Sequence, residues 1–139
     1  MLAVAPLVCL GLSGCFNAEA MIEKRRAIAI LTRLEEIDLG HFHISVPRPT
    51  DEVAAAEIHF HAFGQVENRD LKLVQASLKK YGPELRHRLL LASRALTMAD
   101  LEDPQLTHLR KNIVSVVNEN LEDDPLQSVG FYRFEYSNL

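Results

Sequence analysis

Two short segments in which apolar residues and histidines alternate constrain this chain more than any other feature. In GHFHISV, from Gly40 to Val46, every second residue is apolar, and EIHFHAF, from Glu57 to Phe63, repeats the pattern. Successive side chains of a β-strand point to opposite faces, so a period of two predicts two strands, each with one apolar and one polar face. The polar connection PRPTDE between them is short enough for antiparallel pairing.

The strands are predicted at about His41 to Val46 and Ala54 to Val66. The residues expected on their apolar faces are Phe42, Ile44, Val46, Ile58, Phe60 and Ala62. The opposite faces carry four of the six histidines of the chain: His41, His43, His59 and His61.

Four imidazoles on one face of a sheet are able to hold a metal ion such as zinc or copper. Alternation alone also produces His-x-His, and apart from Glu57 the sequence offers no further ligand at a diagnostic spacing such as His-x-x-x-His. The sequence therefore favours a solvated polar face without a metal or other cofactor. A metal site remains the alternative, and titration with zinc and copper(II) separates the two.

The first 19 residues form an apolar segment with no charged side chain before Glu19. The run up to Cys15 is shorter than the roughly 20 residues that span a bilayer, but it suits the hydrophobic region of a secretory signal. It ends in LSGC, which resembles a bacterial lipobox and makes Cys15 the expected lipid-anchored residue. No basic residue precedes the run, so a longer transmembrane anchor is the alternative. A core helix containing Cys15 is a third interpretation. Either anchor would attach the domain to a membrane.

Residues 20–36 are predicted to form a juxtamembrane amphipathic helix that ends near Gly40. Its apolar residues recur mostly at steps of three and four, as expected for a helix: Ile22, Ala27, Ile30, Leu34 and Ile37. The basic run from Lys24 to Arg26 is interpreted as solvated surface.

After Asn68 the period changes from two to about 3.6, which predicts helices. Pro83 either kinks one long helix or opens a second. Thr97 and Asp100 have the spacing of a capping box, and Asp103 is expected to begin another helix as its N-cap. The two apolar stripes are Leu71, Val74, Leu78, Leu85, Leu89 and Ala92, then Leu106, Leu109, Ile113, Val117 and Leu121.

The last segment, SVGFYRFEYSNL, alternates as a strand. Val129 and Phe131 are expected on one side, and Tyr132, Phe134 and Tyr136 on the other. The predicted order is an N-terminal helix, two antiparallel strands, two or three helices and a closing C-terminal strand. The fold class is therefore α+β.

Residues Pro83 to Leu121 resemble the periplasmic domain of the flagellar basal-body-associated FliL family. The shared pattern is a proline followed by an Arg-containing apolar segment, a Thr-x-x-Asp-Leu turn, and a helix with a Leu-Arg pair and an apolar-Asn ending. The matching residues are Pro83, Leu85, Arg86, Leu89, Leu90, Leu91, Ser93, Thr97, Asp100, Leu101, Leu109, Arg110, Ile113, Val117, Asn118 and Leu121, with Val129, Phe131 and Phe134 in the closing strand.

The resemblance extends over residues 37–139 in the order and spacing of elements. The chain departs from the family at Leu96, where a Lys often precedes the turn threonine, and in having a lipobox where the family has a transmembrane helix. The resemblance implies a stomatin-like domain on the periplasmic side of the bacterial cell envelope. It further implies a protein that braces the motor stator units, supports torque, swimming and chemotaxis, and self-associates. The implied partners are flagellar stator and basal-body proteins and the membrane.

Charge, composition and motifs argue against two other classes of function, nucleic-acid binding and catalysis. The net charge of −4 and the absence of Trp disfavour a nucleic-acid partner. The sequence contains neither a phosphate-binding glycine loop after a strand nor a nucleophile and base in recognisable register, so no catalytic residue and no enzymatic activity is predicted. The alternatives to the flagellar interpretation are an envelope lipoprotein with another protein partner and a His-rich metal-handling lipoprotein.

Overall fold

The computed structural model describes residues 17–47 and 54–138. In chain order the elements are α1 (Ala18–Leu31), β1 (Leu34–Pro47), β2 (Ala54–Glu67), a 3-10 turn (Asn68–Asp70), α2 (Leu71–Arg94), α3 (Met98–Glu102), α4 (Thr107–Asn118) and β3 (Leu126–Asn138). The three strands form one antiparallel sheet in the order β1-β2-β3. The predicted α+β class, with helices packed on an antiparallel sheet and a closing C-terminal strand, is confirmed.

The alternation in β1 and β2 divides the sheet into two different faces. Phe42, Ile44, Ile58 and Phe60 are buried against the helices, each at most 4% exposed, as predicted. The covering side chains come from the apolar stripes of α2 and α4, which supply Val74, Leu85, Leu89, Leu109, Ile113 and Val117.

The prediction of one helix from residue 20 to Gly40 is wrong at its C-terminal end. Helix α1 ends at Leu31, and β1 begins at Leu34, which lies opposite Glu67 in the ladder with β2. Ile37 is buried in the sheet, opposite Gly64. Residues 34–36 thus belong to the sheet, because pairing with the long β2 satisfies the backbone hydrogen bonds of this segment and buries Ile37.

Helix α1 also differs from the amphipathic helix that was expected. Its large apolar side chains are between 41% and 59% exposed, and no residue of the helix is buried. At about 3.6 residues per turn they lie on all sides of the helix rather than in one stripe: Met21, Ile22, Ile28, Ile30 and Leu31. The backbone N–H of Asn68 donates to the carbonyl of Arg33 over 2.8 Å, which links the connection between α1 and β1 to the 3-10 turn before α2.

Pro83 lies inside α2, so the structure contains one helix at this position rather than two. The capping box is confirmed: the Thr97 N–H donates to Asp100 Oδ2 over 2.8 Å, and the Asp100 N–H donates back to Thr97 Oγ1 over 3.3 Å. These paired hydrogen bonds satisfy donors at the start of α3 that no helical carbonyl can reach.

The predicted N-cap at Asp103 is wrong, because α4 begins four residues later at Thr107. The buried Leu106 precedes the helix in a left-handed conformation, with φ of 48°, and this interrupts a helix that would start at Pro104. The Asp103 carboxylate still accepts hydrogen bonds from the N–H groups of Gln105 and Thr107, at 2.9 Å each.

The side-chain assignment in the last strand needs a similar correction. Arg133 pairs with His61 and Phe131 pairs with Ala62, so Tyr132 is an extra residue in a β-bulge. Phe134, opposite Phe60, therefore lies on the helix-covered face together with Phe131, and Tyr132 lies on the opposite face. The bulge reverses the alternation that was expected to separate Phe131 from Phe134.

Candidate functional site

The uncovered face of the sheet presents the four histidines in two rows. His41 lies opposite His61, and His43 lies opposite His59 in the β1–β2 ladder. The rings of each pair are stacked, with centroids 3.8 Å apart in the first row and 3.9 Å apart in the second. We call this surface, made of His41, His43, His59 and His61, the histidine face. Its position on the polar side of both strands was predicted from the sequence.

Strand β3 extends each row by one charged residue. Arg133 follows His61 in the first row, and Glu135 follows His59 in the second. The two residues also form an ion pair with each other, with Arg133 Nη2 at 2.6 Å from Glu135 Oε1. The first row is thus bordered by a cation and the second by a carboxylate.

The first row is fixed by Asp38, which the sequence analysis did not single out. Its carboxylate lies 2.9 Å from His61 Nε2 and accepts a 2.7 Å hydrogen bond from the N–H of Gly40. These contacts, led by the bond to His61, lower the pKa of Asp38 below its ordinary value. Gly40 has a φ of +99°, a conformation that glycine adopts readily and that places its N–H against the carboxylate.

Tyr132 closes the same end of the face. Its ring centroid is 4.8 Å from that of His61, and its hydroxyl donates to Glu36 Oε2 over 3.1 Å. Desolvation, followed by the bond to Glu36, raises the pKa of Tyr132. Tyr132 lies on the side of β3 opposite Phe131, as alternation predicted, and the bulge places Arg133 on the same face.

The second row is more open. Glu57 Oε2 is 3.8 Å from His43 Nε2, and one ligand atom each from His43, Glu57 and His59 lie within 4.8 Å of one another. His43 and His59 are exposed, while Glu57 is partly exposed. Two imidazoles and a carboxylate therefore converge at this position without being bound tightly to one another.

A separate groove lies between α4 and β3. Its volume is about 970 Å³, and its lining mixes apolar residues such as Val114 and Leu121 with charged residues such as Arg110 and Glu119. A smaller depression of about 480 Å³ adjoins the histidine face. The groove contains no histidine, so the two features are separate surfaces.

Three of the residues that carry the family resemblance, Asn118, Arg110 and Arg86, connect elements of the fold. The Asn118 side chain is buried at the end of α4, where it donates to the carbonyl of Leu126 and accepts from its N–H, at 3.0 Å each. The Arg110 guanidinium lies 5.7 Å from the ring centroid of Phe131, and that of Arg86 lies 5.1 Å from Phe42. Arg86 also donates to the carbonyl of His41 over 2.9 Å.

The candidate lipid-anchor residue, Cys15, lies outside the described residues, as does most of the segment 1–19. Within residues 17–47 and 54–138, no helix combines the length and the apolar character needed to cross a membrane.

Comparison with known proteins yields no assignment: no protein-family model matches the chain, and no curated protein matches it significantly.

Proposed function

We propose that this chain is a membrane-anchored, non-enzymatic protein of the bacterial flagellar basal body, which braces the stator units and thereby supports torque, swimming and chemotaxis. The observation that carries the proposal is the agreement between the element order of the fold and the order expected from the FliL-like pattern. An antiparallel strand pair leads into a long helix with an internal proline, a capped turn, a helix ending in asparagine and a returning strand. The whole order recurs in the described residues.

The roles of the matched side chains add support. Asn118 joins α4 to β3, Thr97 and Asp100 cap α3, and Arg110 packs on the ring of Phe131. The identity of a side chain that connects two elements is constrained by the structure around it. A pattern built on such residues therefore reports on the fold more specifically than apolar periodicity does.

The position of α1 suits an anchored protein. It enters the sheet at Leu34, beside Glu67, whereas Pro47 and Ala54 lie at the opposite end of the β1–β2 ladder. A chain held in the membrane through residues 1–19 would thus continue through α1 into one end of the domain. The exposed apolar side chains of α1 supply surface for contacts with the membrane boundary or with further copies of the chain.

Localisation in the host bacterium tests the proposal. The native gene is fused at its 3′ end to a fluorescent protein, and the flagellar hooks are labelled in a second colour. We expect foci that coincide with the hook bases and that are reduced when the anchor is disabled. A uniform signal around the envelope, with a fusion that is full-length and membrane-bound, would contradict the flagellar assignment and favour the envelope lipoprotein with another partner.

The mode of anchoring has its own test. Cells that express the wild type, Cys15→Ala or Cys9→Ala are labelled with a palmitate analogue, and incorporation into the purified chain is measured. Lipidation at the lipobox predicts label in the wild type and in Cys9→Ala but not in Cys15→Ala. Equal label in all three chains, or none in the wild type, would exclude the lipobox and favour the transmembrane alternative.

A further inference from the structure

We propose that His43, Glu57 and His59 form a site for one divalent transition-metal ion of the zinc and copper class. The site is a binding function separate from the flagellar proposal, and neither depends on the other. The inference rests on the cross-strand register, the chemistry of the three side chains and their neighbours on the sheet.

The register brings the two histidines to the same position from two strands that are remote in sequence. His43 and His59 are direct partners in the ladder, and their ring centroids are 3.9 Å apart with an angle of 16° between the ring planes. Glu57 lies two residues before His59, on the same face of β2. The pleat of the sheet thus fixes three metal-binding side chains in one small area.

The distances fit coordination after small side-chain rotations. One ligand atom from each residue already lies within 4.8 Å of the others. Zn–N bonds of about 2.0–2.1 Å in a tetrahedral site place neighbouring ligand atoms about 3.4 Å apart. The rings must also turn from their stacked arrangement so that their lone pairs converge. His43 and His59 are exposed, and the terminal torsion of histidine is broad, so this movement meets little resistance.

The set of ligands indicates the class of ion. Two imidazole nitrogens and one carboxylate oxygen suit zinc and copper(II), and they leave further coordination positions open to water. Calcium and magnesium instead require sites built from oxygen ligands. A set with three protein ligands and open positions is typical of an exchangeable site rather than of a closed structural one.

The first row, His41 and His61, also lies beside a carboxylate, that of Asp38, but this carboxylate is already hydrogen-bonded. Both contacts of Asp38 there, with His61 and with the Gly40 N–H, already occupy its Oδ1 oxygen. Arg133 adjoins that row, and a cation opposes the approach of a metal ion, whereas Glu135 adjoins the second row. Glu57 Oε2 lies 3.8 Å from His43 Nε2, beyond hydrogen-bond distance, so the Glu57 carboxylate can turn toward a metal ion, and both it and the acidic neighbour favour His43 and His59 over His41 and His61.

Calorimetric titration of the full-length chain with zinc tests the site. The chain is purified in detergent without a His tag, and any cysteine thiol that is not lipidated is alkylated so that thiolates do not bind zinc. We expect one ion per chain with micromolar affinity. The double variant His43→Ala/His59→Ala should lose binding, and Glu57→Gln should weaken it by about tenfold or more.

The matched control is His41→Ala/His61→Ala, which removes the two histidine side chains of the neighbouring row on the same face. It should keep wild-type affinity. Circular dichroism and thermal unfolding verify that all variants are folded, which is expected because the replaced side chains line the uncovered face. No binding by the wild type, unchanged binding by His43→Ala/His59→Ala, or equal loss in both double variants would each overturn the assignment.

Copper(II) allows the ligands to be identified by spectroscopy, independently of the affinities measured by calorimetry. Electron paramagnetic resonance of the copper-loaded chain should show hyperfine coupling to two imidazole nitrogens, and it should be unchanged in His41→Ala/His61→Ala. A spectrum with oxygen ligands alone would contradict the proposal.

Discussion

The two faces of the sheet are made by the same three strands but differ in almost every physical property. The covered face contains four phenylalanines in sequence across the strands, with centroid distances of 5.0 Å for Phe42–Phe60, 5.6 Å for Phe60–Phe131 and 5.7 Å for Phe131–Phe134. The other face presents stacked imidazoles and charged groups to solvent. The first face buries the apolar area that stabilises the fold, so the second is free to vary in its chemistry.

This division gives residues that are adjacent in sequence opposite roles. Phe60 is 3% exposed, and its neighbour His59 is exposed on the opposite side of the strand. A substitution on the covered face is therefore expected to change stability, and one on the histidine face is expected to leave stability nearly unchanged. The following predictions test that division, from the largest expected effect to the smallest.

The pair Phe60→Ala and His59→Ala should separate the two faces most strongly. Phe60→Ala removes a ring that contacts three other aromatic residues and leaves a cavity, at an expected cost of about 3–5 kcal/mol in the free energy of unfolding. His59→Ala should change it by no more than about 0.5 kcal/mol. Urea denaturation followed by circular dichroism measures both. Similar losses in the two variants would show that the histidine face also carries the fold.

Asn118 tests whether the covered side depends on a polar contact as well as on apolar packing. Asn118→Ala would leave the N–H and the carbonyl of Leu126 buried without their partner, which should cost about 2–4 kcal/mol. The control is Asn120→Ala, because Asn120 is exposed two residues later and should be nearly neutral. Thermal unfolding compares the two variants. An equal, small effect would mean that water replaces the Asn118 contacts at no cost.

Two glycine substitutions test the backbone conformation at the edge of the histidine face. Gly40 lies at that edge, and Gly82 in α2 serves as the comparison. Gly40→Ala forces a Cβ into a positive-φ conformation and should cost about 1–3 kcal/mol. Gly82 lies inside α2, where a Cβ meets no atom beyond its chain neighbours, but Pro83 follows it and disfavours a helical residue with a Cβ, so Gly82→Ala should change stability by less than about 0.5 kcal/mol. A clearly lower unfolding midpoint is expected for Gly40→Ala alone. A stabilising Gly40→Ala would contradict the β-bulge that the β1–β2 register places between Asp38 and Gly40.

The smallest expected effect is the pH dependence that Asp38 contributes. Its folded pKa is lowered by His61 and Gly40, so its contribution is present above the ordinary carboxyl pKa of about 3.9 and is lost as the pH falls through the lower, folded pKa. Asp38→Asn should therefore lose less stability than the wild type on acidification from about pH 5 to pH 2. Unfolding midpoints across this range provide the measurement, and parallel curves would show that Asp38 makes no net contribution.

Local alternation predicted most of the sheet, because the covered face of β1 and β2 needs an apolar residue at every second position. It did not separate α1 from β1, since Leu34 and Ile37 fit a helical stripe as well as they fit a strand. That choice depends on Glu67 and Gly64, which are about 30 residues away and become partners only in the folded sheet.

The same limit explains what was missed at the site. The histidines follow from alternation, but Asp38 reaches His61 only because β1 begins earlier and carries a bulge at Leu39, between Asp38 and Gly40. Arg133 adjoins the histidines, and Phe134 joins Phe131 on the covered face, only because β3 contains a bulge at Tyr132. In the sequence a bulge is only one additional residue, and which residue it is depends on how the whole strands pair. The Asp-x-Gly spacing at Asp38 and Gly40 is the one local signal that indicates the first bulge.

Stall torque tests the central functional claim most directly. The gene is deleted in its host, and the torque of single motors is recorded with beads attached to flagellar stubs, beside a strain complemented with the wild-type gene. The account predicts reduced stall torque and swimming speed in the deletion strain, and recovery of both on complementation. Unchanged torque and swimming in the deletion strain would contradict a stator-bracing function.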